Sequence, residues 1–385
     1  MNSRERVLAA ISHREPDRVP IDLGGVVSGI HINSYKRLLT LLGLEDKNIQ
    51  FYDYNQQIVT PCEAVLERLH IDTRYLHPPA SYVPENFSPL QVGEWIGNYD
   101  QFGVFWGNRA SNPPEKRLYY SPVIHPLARL KTVAEIHAYD WPKGTDRAVF
   151  RGLKESAQGL RQNTNYALVS RVIGCIYEYT TFLFGLKLAM RYFRTNPELI
   201  QAAMEELLTY WTDFATTYLE EVGNNVDVIC INGDLADQSG PLMNPAVYAK
   251  LIKPIEAEFV KRVRKLTKAP INYHSCGSVI EFLPHFIDIG YSAANPVQIS
   301  AAGMSPERLK RDFGAKITFW GGACDSQKTL PFGTPAQVRA EVKQNLIAFK
   351  PGGGYVASNV HNITGEVPAE NILAMFDALH EYGEY

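Results

Sequence analysis

The chain changes character near its middle. After residue 165, short apolar runs alternate with longer amphipathic stretches. Apolar runs of about five residues fall at Ala167–Ile173, Val226–Ile231, Ile271–His274, Ser292–Val297, Ile317–Trp320 and Gly354–Ser358. Helical spacing marks 186–194, 197–222, 245–267, 279–289, 305–313, 335–349 and 369–382. Short buried strands separated by helices of ten or more residues predict parallel βα units, not an antiparallel sandwich. No clear GxGxxG is present, which favours a closed, distorted (β/α)8 TIM barrel over a doubly wound sheet, the alternative.

The first half is less regular. Val7, Leu8 and Ile11 predict a helix that Asn2 or Ser3 caps and Pro16 stops. The run from Arg18 to Gly25 reads as extended, and Asp72–Leu76 as a further strand. Helices are expected around 35–42, 64–69, 127–140 and 147–162. Residues from about 80 to 140 read as covering loops or a hairpin, with Ser111-Asn112-Pro113-Pro114 as a breaker. One barrel domain over residues 1–385 with an elaborated N-terminal half is therefore expected.

Composition narrows the function classes. With 38 Lys+Arg against 41 Asp+Glu, the chain has no electrostatic bias toward nucleic acid. Five cysteines do not form a disulfide framework. No apolar run approaches the roughly 18–20 residues that span a bilayer. The charged N-terminus lacks the apolar core of a secretory signal, so a reducing cytoplasm is the expected location.

In a barrel the site lies beyond the C-terminal ends of the strands, and polar, metal-capable residues concentrate there. His274 and Cys276 stand two apart after an apolar run, so in an extended segment both point to one side. An imidazole with a thiolate suits Zn2+. His361 is the first choice for a third ligand and Cys324 the second, which leaves an open position for substrate. The blander alternative is a hydrogen-bonded histidine beside an inert thiol. Asp234 and Asp237 follow another strand and read as proton acceptors, substrate-orienting groups or partners of an imidazole, with helix capping as the alternative for Asp237. Asp22 closes the site from the first segment or caps a turn. Tyr177, Glu178 and Tyr179 wall a pocket, Glu178 as proton donor or acceptor, or pack as a loop over the mouth. Gln238, Asn295 and Gln298 complete the expected pocket. The glycines at 352–354 precede a strand, the wrong side for a phosphate loop.

These motifs resemble the uroporphyrinogen decarboxylase-like superfamily, and within it the branch related to corrinoid-dependent methyltransferases of the methylcobamide:coenzyme M type. The cues are the helix Arg4-Glu5-Arg6-Val7-Leu8-Ala9-Ala10-Ile11 with His13, then Pro16-Asp17-Arg18-Val19-Pro20. They continue through Gly233-Asp234, Gly240-Pro241 with Pro245 and Tyr248, His274-Ser275-Cys276-Gly277-Ser278 and Asn295-Pro296-Val297-Gln298. Gly321-Gly322, the segment Leu330 to Pro335, Pro351 to Tyr355, and Pro368 to Ile372 complete them. The resemblance implies a distorted TIM barrel and a zinc held by His-x-Cys and a later Cys. His274 and Cys276 match the first two positions, and the later position, measured back from Pro368 and Glu370-Asn371, falls on His361. Decarboxylases of the superfamily carry Arg-Gln-Ala-Gly-Arg near the N-terminus, where this chain has Leu23-Gly24-Gly25-Val26-Val27-Ser28. A substrate rich in carboxylates wants Arg forks, so their absence argues against uroporphyrinogen decarboxylation.

The expected function is zinc-dependent methyl transfer between a corrinoid protein carrying methylcobalamin and a small thiol, folate or methylated donor. The alternatives are metal-independent decarboxylation using Asp22 or Asp234, and a non-catalytic corrinoid- or small-molecule-binding module.

Overall fold

The computed structural model describes residues 1–25, 27–77 and 89–385. Three short strands come first: β1 (Ile30–His31), β2 (Gln50–Asp53) and β3 (Ile58–Thr60) form a small antiparallel sheet. After β4 (Thr73–Leu76), the strands β5 (Leu90–Val92), β6 (Trp95–Tyr99), β7 (Phe105–Arg109) and β8 (Ser121–Ile124) form an antiparallel meander. The remaining strands are β9 (Ala167–Val172), β10 (Val228–Asn232), β11 (Ile271–His274), β12 (Ala293–Asn295), β13 (Thr318–Trp320) and β14 (Tyr355–Val356).

Seven strands pair in parallel in the order β14-β13-β12-β11-β10-β9-β4. The extended segment at Pro20–Asp22 closes the ring. Ile21 bridges Ala357 beyond β14, and Ile21 O accepts from Asp72 N at 2.8 Å, just before β4. Eight staves therefore surround one interior, a distorted (β/α)8 barrel.

The N-terminal helix Ser3–Ile11 plugs the lower end. Asn2 caps it in a capping box with Glu5. Its Val7, Ala10 and Ile11 pack in one buried cluster with Ala167, Val169, Val228, Cys230, Ala293, Trp320 and Val356, the interior of the barrel. The charged residues of the same helix tie it down. Arg4 Nε meets Asp227 at 2.8 Å, Arg6 reaches Asp17 and Asp72 at 2.7 Å each, and Arg18 reaches Asp72 at 2.7 Å. The basic N-terminal motif thus seals the face of the barrel opposite the expected site, where such residues serve stability.

Several predicted elements differ from those observed. The helix expected at 147–162 splits at Gly152 into a 3-10 turn, Arg147–Phe150, and the helix Leu153–Asn163. The stretch 127–140 holds only the 3-10 turn Pro126–Arg129 and the short helix Val133–His137, because Thr132 starts a new capping box. Pro254 has no N–H to donate, and the helix expected over 245–267 carries a π turn, Tyr248–Ile252, just before Lys253–Leu266. The hairpin or loop expected over about 80–140 is a four-stranded sheet from Leu90 to Ile124; residues 78–88 lie outside the described residues. Among the described residues no helix is long and apolar enough to cross a membrane.

Candidate metal centre and cavity

β10 and β11 are paired so that Asn232 lies opposite His274, and β12 continues the row with Asn295. These three positions form the C-terminal rim, and the turns beyond them bring the polar residues together. His274 is 4% exposed. Its Nδ1 donates to Asn295 Oδ1 at 2.5 Å, and Asn295 Nδ2 in turn donates to Trp320 O at 3.0 Å. That chain fixes the tautomer and leaves the Nε2 lone pair free. Nε2 lies 3.4 Å from Cys276 Sγ and 3.6 Å from Asp234 Oδ1.

Cys276 is held by its backbone, whose N–H donates to Asp234 Oδ1 at 2.9 Å. The next residue must be glycine. Gly277 has φ +82°, and a Cβ there would stand 2.4 Å from Asp237 O. Its N–H donates to Gln298 Oε1. His361 arrives from the loop after β14 in the left-handed region, φ 58°, an uncommon conformation for a residue with a Cβ. Its backbone oxygen accepts from Asn359 Nδ2, and its ring sits 5.2 Å from that of His274.

One ligand atom from each of His274, Cys276 and His361 lies within 4.8 Å of the others. Tetrahedral zinc needs donor separations of about 3.3–3.5 Å, from Zn–N near 2.0 Å and Zn–S near 2.3 Å. The set therefore fits such an ion after a small contraction. The electrostatics differ between Cys276 and His361. Burial, with Asp234 and Glu178 nearby, holds the Cys276 thiol well above its ordinary value. Burial and the neighbouring His274 hold His361 below the usual histidine range, so the ring is neutral and able to ligate. A bound dication would reverse the penalty on the thiolate.

A cavity of about 440 Å³ adjoins this cluster at Asn232, the strand partner of His274, but His274, Cys276, His361 and the expected pocket residues Asn295 and Gln298 do not line it. Glu178, Cys175 and Asn232 line its inner end, and Tyr54, Trp106 and Tyr179 belong to its aromatic wall. Cys175 Sγ donates to Glu178 Oε2 at 3.2 Å. Burial, and then the charge of Asp234, push the Glu178 carboxyl up to a range where it keeps its proton near neutral pH. Part of the meander covers the cavity: Asp100 accepts from Trp106 Nε1 at 2.8 Å and Tyr179 OH at 2.9 Å.

The other expected residues are placed as follows. Asp22 is 0% exposed in the barrel interior, accepting from Thr73 at 2.5 Å, Trp320 at 2.8 Å and Tyr75 at 3.1 Å. Burial raises its pKa. It lies beneath the cavity, not in its wall. Asp237 is exposed and accepts from Ser239 and Gly240 in its own turn; it caps no helix, the next one being capped by Asn244. Gln238 is tied to the neighbouring loop through its backbone oxygen, which accepts from Ala302 N. Tyr177 is buried behind the cavity wall, and Cys324 is buried beside Asp325 and Glu341, outside the ligand cluster. Cys175 also lines the cavity.

Two features escaped the sequence reading. Glu256 is buried and accepts from Tyr248 OH at 2.7 Å and Tyr273 OH at 2.9 Å. Tyr273 also reaches Gly233 O at 3.3 Å, which supports the turn that carries Asp234. Arg171, at the end of β9, lines the cavity. A lone acid in a helix and a lone Arg in a strand carry no distinguishing signal in sequence.

The sequence pattern of a family described as Uroporphyrinogen decarboxylase (URO-D) matches residues 117–382. A uroporphyrinogen decarboxylase from Actinobacillus succinogenes is 33% identical over 75 residues, 20% of this chain and 20% of that protein. The chain thus aligns with only a fifth of that relative's length. A methyltransferase from Methanosarcina mazei has the same fold, with a TM-score of 0.67 at 18% identity over 99% of both chains.

Proposed function

The chain belongs to the uroporphyrinogen decarboxylase family, and from that premise we propose that it is an enzyme of methyl transfer with a zinc site at His274, Cys276 and His361. The convergence of one ligand atom from each of these residues within 4.8 Å carries the reading. The Methanosarcina mazei methyltransferase, which shares the fold, supports it.

Zinc bound there would act as a Lewis acid that lowers the pKa of a ligating thiol or polarises a leaving group. The chain's own residues do the rest. Asn295 orients His274, and Asp234 fixes the Cys276 backbone. Glu178, kept protonated by burial and by Asp234, holds a proton at the inner end of the cavity, available to a leaving group or exchangeable with an entering thiol. The aromatic wall excludes water. A corrinoid protein docked at the mouth is the proposed carrier of the methyl group, and the small donor or acceptor enters the cavity.

Decarboxylation through Asp22 is disfavoured, because Asp22 is sealed under Trp320 and Tyr75 and does not line the cavity.

The test is metal content followed by turnover. Protein purified without chelator should carry close to one zinc per chain. Less than about 0.2 per chain, with no rebinding, removes the proposal. Zinc-loaded protein should change the absorbance of methylcobalamin, used as the corrinoid probe, when thiols, tetrahydrofolate or methoxylated compounds are supplied. His361→Ala should abolish both zinc retention and the absorbance change.

A further inference from the structure

Asp100, Trp106, Tyr179 and Phe182 stand together in the wall of the 440 Å³ cavity. Asp100 follows β6 and binds its own turn first: its Oδ1 accepts from Phe102 N at 2.9 Å and Val104 N at 3.0 Å. Its Oδ2 accepts from Trp106 Nε1 at 2.8 Å and Tyr179 OH at 2.9 Å. Four donors favour the ionised carboxylate, against burial, which raises its pKa. Trp106 belongs to β7 and Tyr179 to the helix Tyr177–Phe184, so one carboxylate fixes two rings from separate elements. An anion at the polar edge of a ring deepens the negative potential over its face.

The rings do not lie in a flat stack. Phe182 is 5.0 Å from Trp106 at 74° and 5.5 Å from Tyr179 at 73°. Trp211, in the same wall, is 6.0 Å from Tyr179 at 65°. Rings turned this steeply build a concave aromatic wall.

The polar lining favours positive charge. Asp53 and Glu178 join Asp100 in it, and the side-chain oxygens of Asn98 and Asn232 have no donor among the described residues. Arg171 is the one basic residue of the lining. A bulge in β9, whose register against β10 shifts between Val169 and Val172, brings it to the end shared with a second cavity of about 670 Å³. There its guanidinium stands 5.1 Å from the Phe214 ring. Acids thus outnumber bases in a wall made largely of aromatic rings. Such a wall suits a weakly hydrated cation that needs no hydrogen-bond acceptor of its own, which is the character of an N-methylated ammonium.

We propose that this wall is a cation site and that the small molecule entering the cavity carries a methylated ammonium group. The inference names the substrate class for the proposed function and rests on its reading of the cavity as the place where the small molecule enters.

Calorimetry on the full-length protein tests this with choline against 3,3-dimethylbutan-1-ol, which has the same shape with an uncharged carbon in place of the nitrogen. Choline should bind at least about fivefold more tightly. Trp106→Leu removes a ring face and should cut that preference at least about threefold. Trp106→Phe keeps a ring and should cut it by less, which keeps the test usable if the leucine variant unfolds. Asp100→Asn should weaken choline more than the alcohol. A smaller preference in the parent, no saturable choline binding up to about 10 mM, or an undiminished preference in the Trp106 variant that folds each overturns the proposal. The measurement needs neither zinc nor a corrinoid, so failure of the cation site and failure of the metal reading are told apart.

Discussion

The Nδ1 of His274 donates to Oδ1 of Asn295 at 2.5 Å, across paired positions of adjacent strands. This bond would preset His274 for the proposed ligand role, because it places the proton on Nδ1 and the lone pair on Nε2. Asn295→Ala should therefore lower zinc affinity by about 10–100-fold without touching a ligand. Chelator competition checks it. Unchanged affinity would mean that the amide does not set the tautomer.

His361 separates backbone demand from metal binding. Its left-handed φ of 58° suits glycine better than alanine. His361→Gly should be more stable than His361→Ala by about 1 kcal/mol, while both lose zinc. Thermal melts alongside metal analysis distinguish the two effects; equal stability would show that the loop relaxes.

Glu256 makes stability depend on pH. Burial pushes its carboxyl up to about 7, against 4.5 as the ordinary value. The folded state binds this proton more tightly than the unfolded state. The contribution is therefore fully present below the unfolded pKa near 4.5 and is lost as pH rises through 7, on the order of a few kcal/mol. Glu256→Gln should flatten the urea-derived stability profile between pH 4.5 and 7 relative to the parent. A parallel profile in the variant would assign the slope to other groups.

Asp72 holds the plugging helix and the closing stave together. It accepts from Arg6 at 2.7 Å, Arg18 at 2.7 and 3.0 Å, and Ile21 N at 2.9 Å. Asp72→Asn leaves Arg18 without its charge partner and Arg6 with Asp17 alone, and should cost about 3–5 kcal/mol. Denaturant unfolding measures this. Zinc content per folded chain should be unchanged, since the network lies at the opposite end of the barrel from His274.

The strands that carry the site were legible as local patterns. Ile271–His274 is a short apolar run with prolines and glycine nearby, and helices such as Pro197–Val222 and Pro335–Phe349 are long enough for periodicity to dominate. The small sheet β1–β3 and the meander β5–β8 were not legible as such. Their strands are two to five residues long, and antiparallel partners are chosen by non-local register and packing. The split at Gly152 and the π turn before Pro254 likewise follow from backbone geometry that a hydrophobic pattern averages away.

By itself the sequence determined the alternation of strands and helices, hence the barrel, and the placement of metal-capable residues after apolar runs, because both follow from residue order. Tertiary structure decided which of those residues meet. His274, Cys276 and His361 come from two turns 85 residues apart and converge only because β11 and β14 belong to one closed ring. The same closure sent Asp22 into the interior instead of the cavity, and a single bulge in β9 delivered Arg171 to its wall. Register between distant strands is a property of the closed sheet, and no local stretch of sequence encodes it.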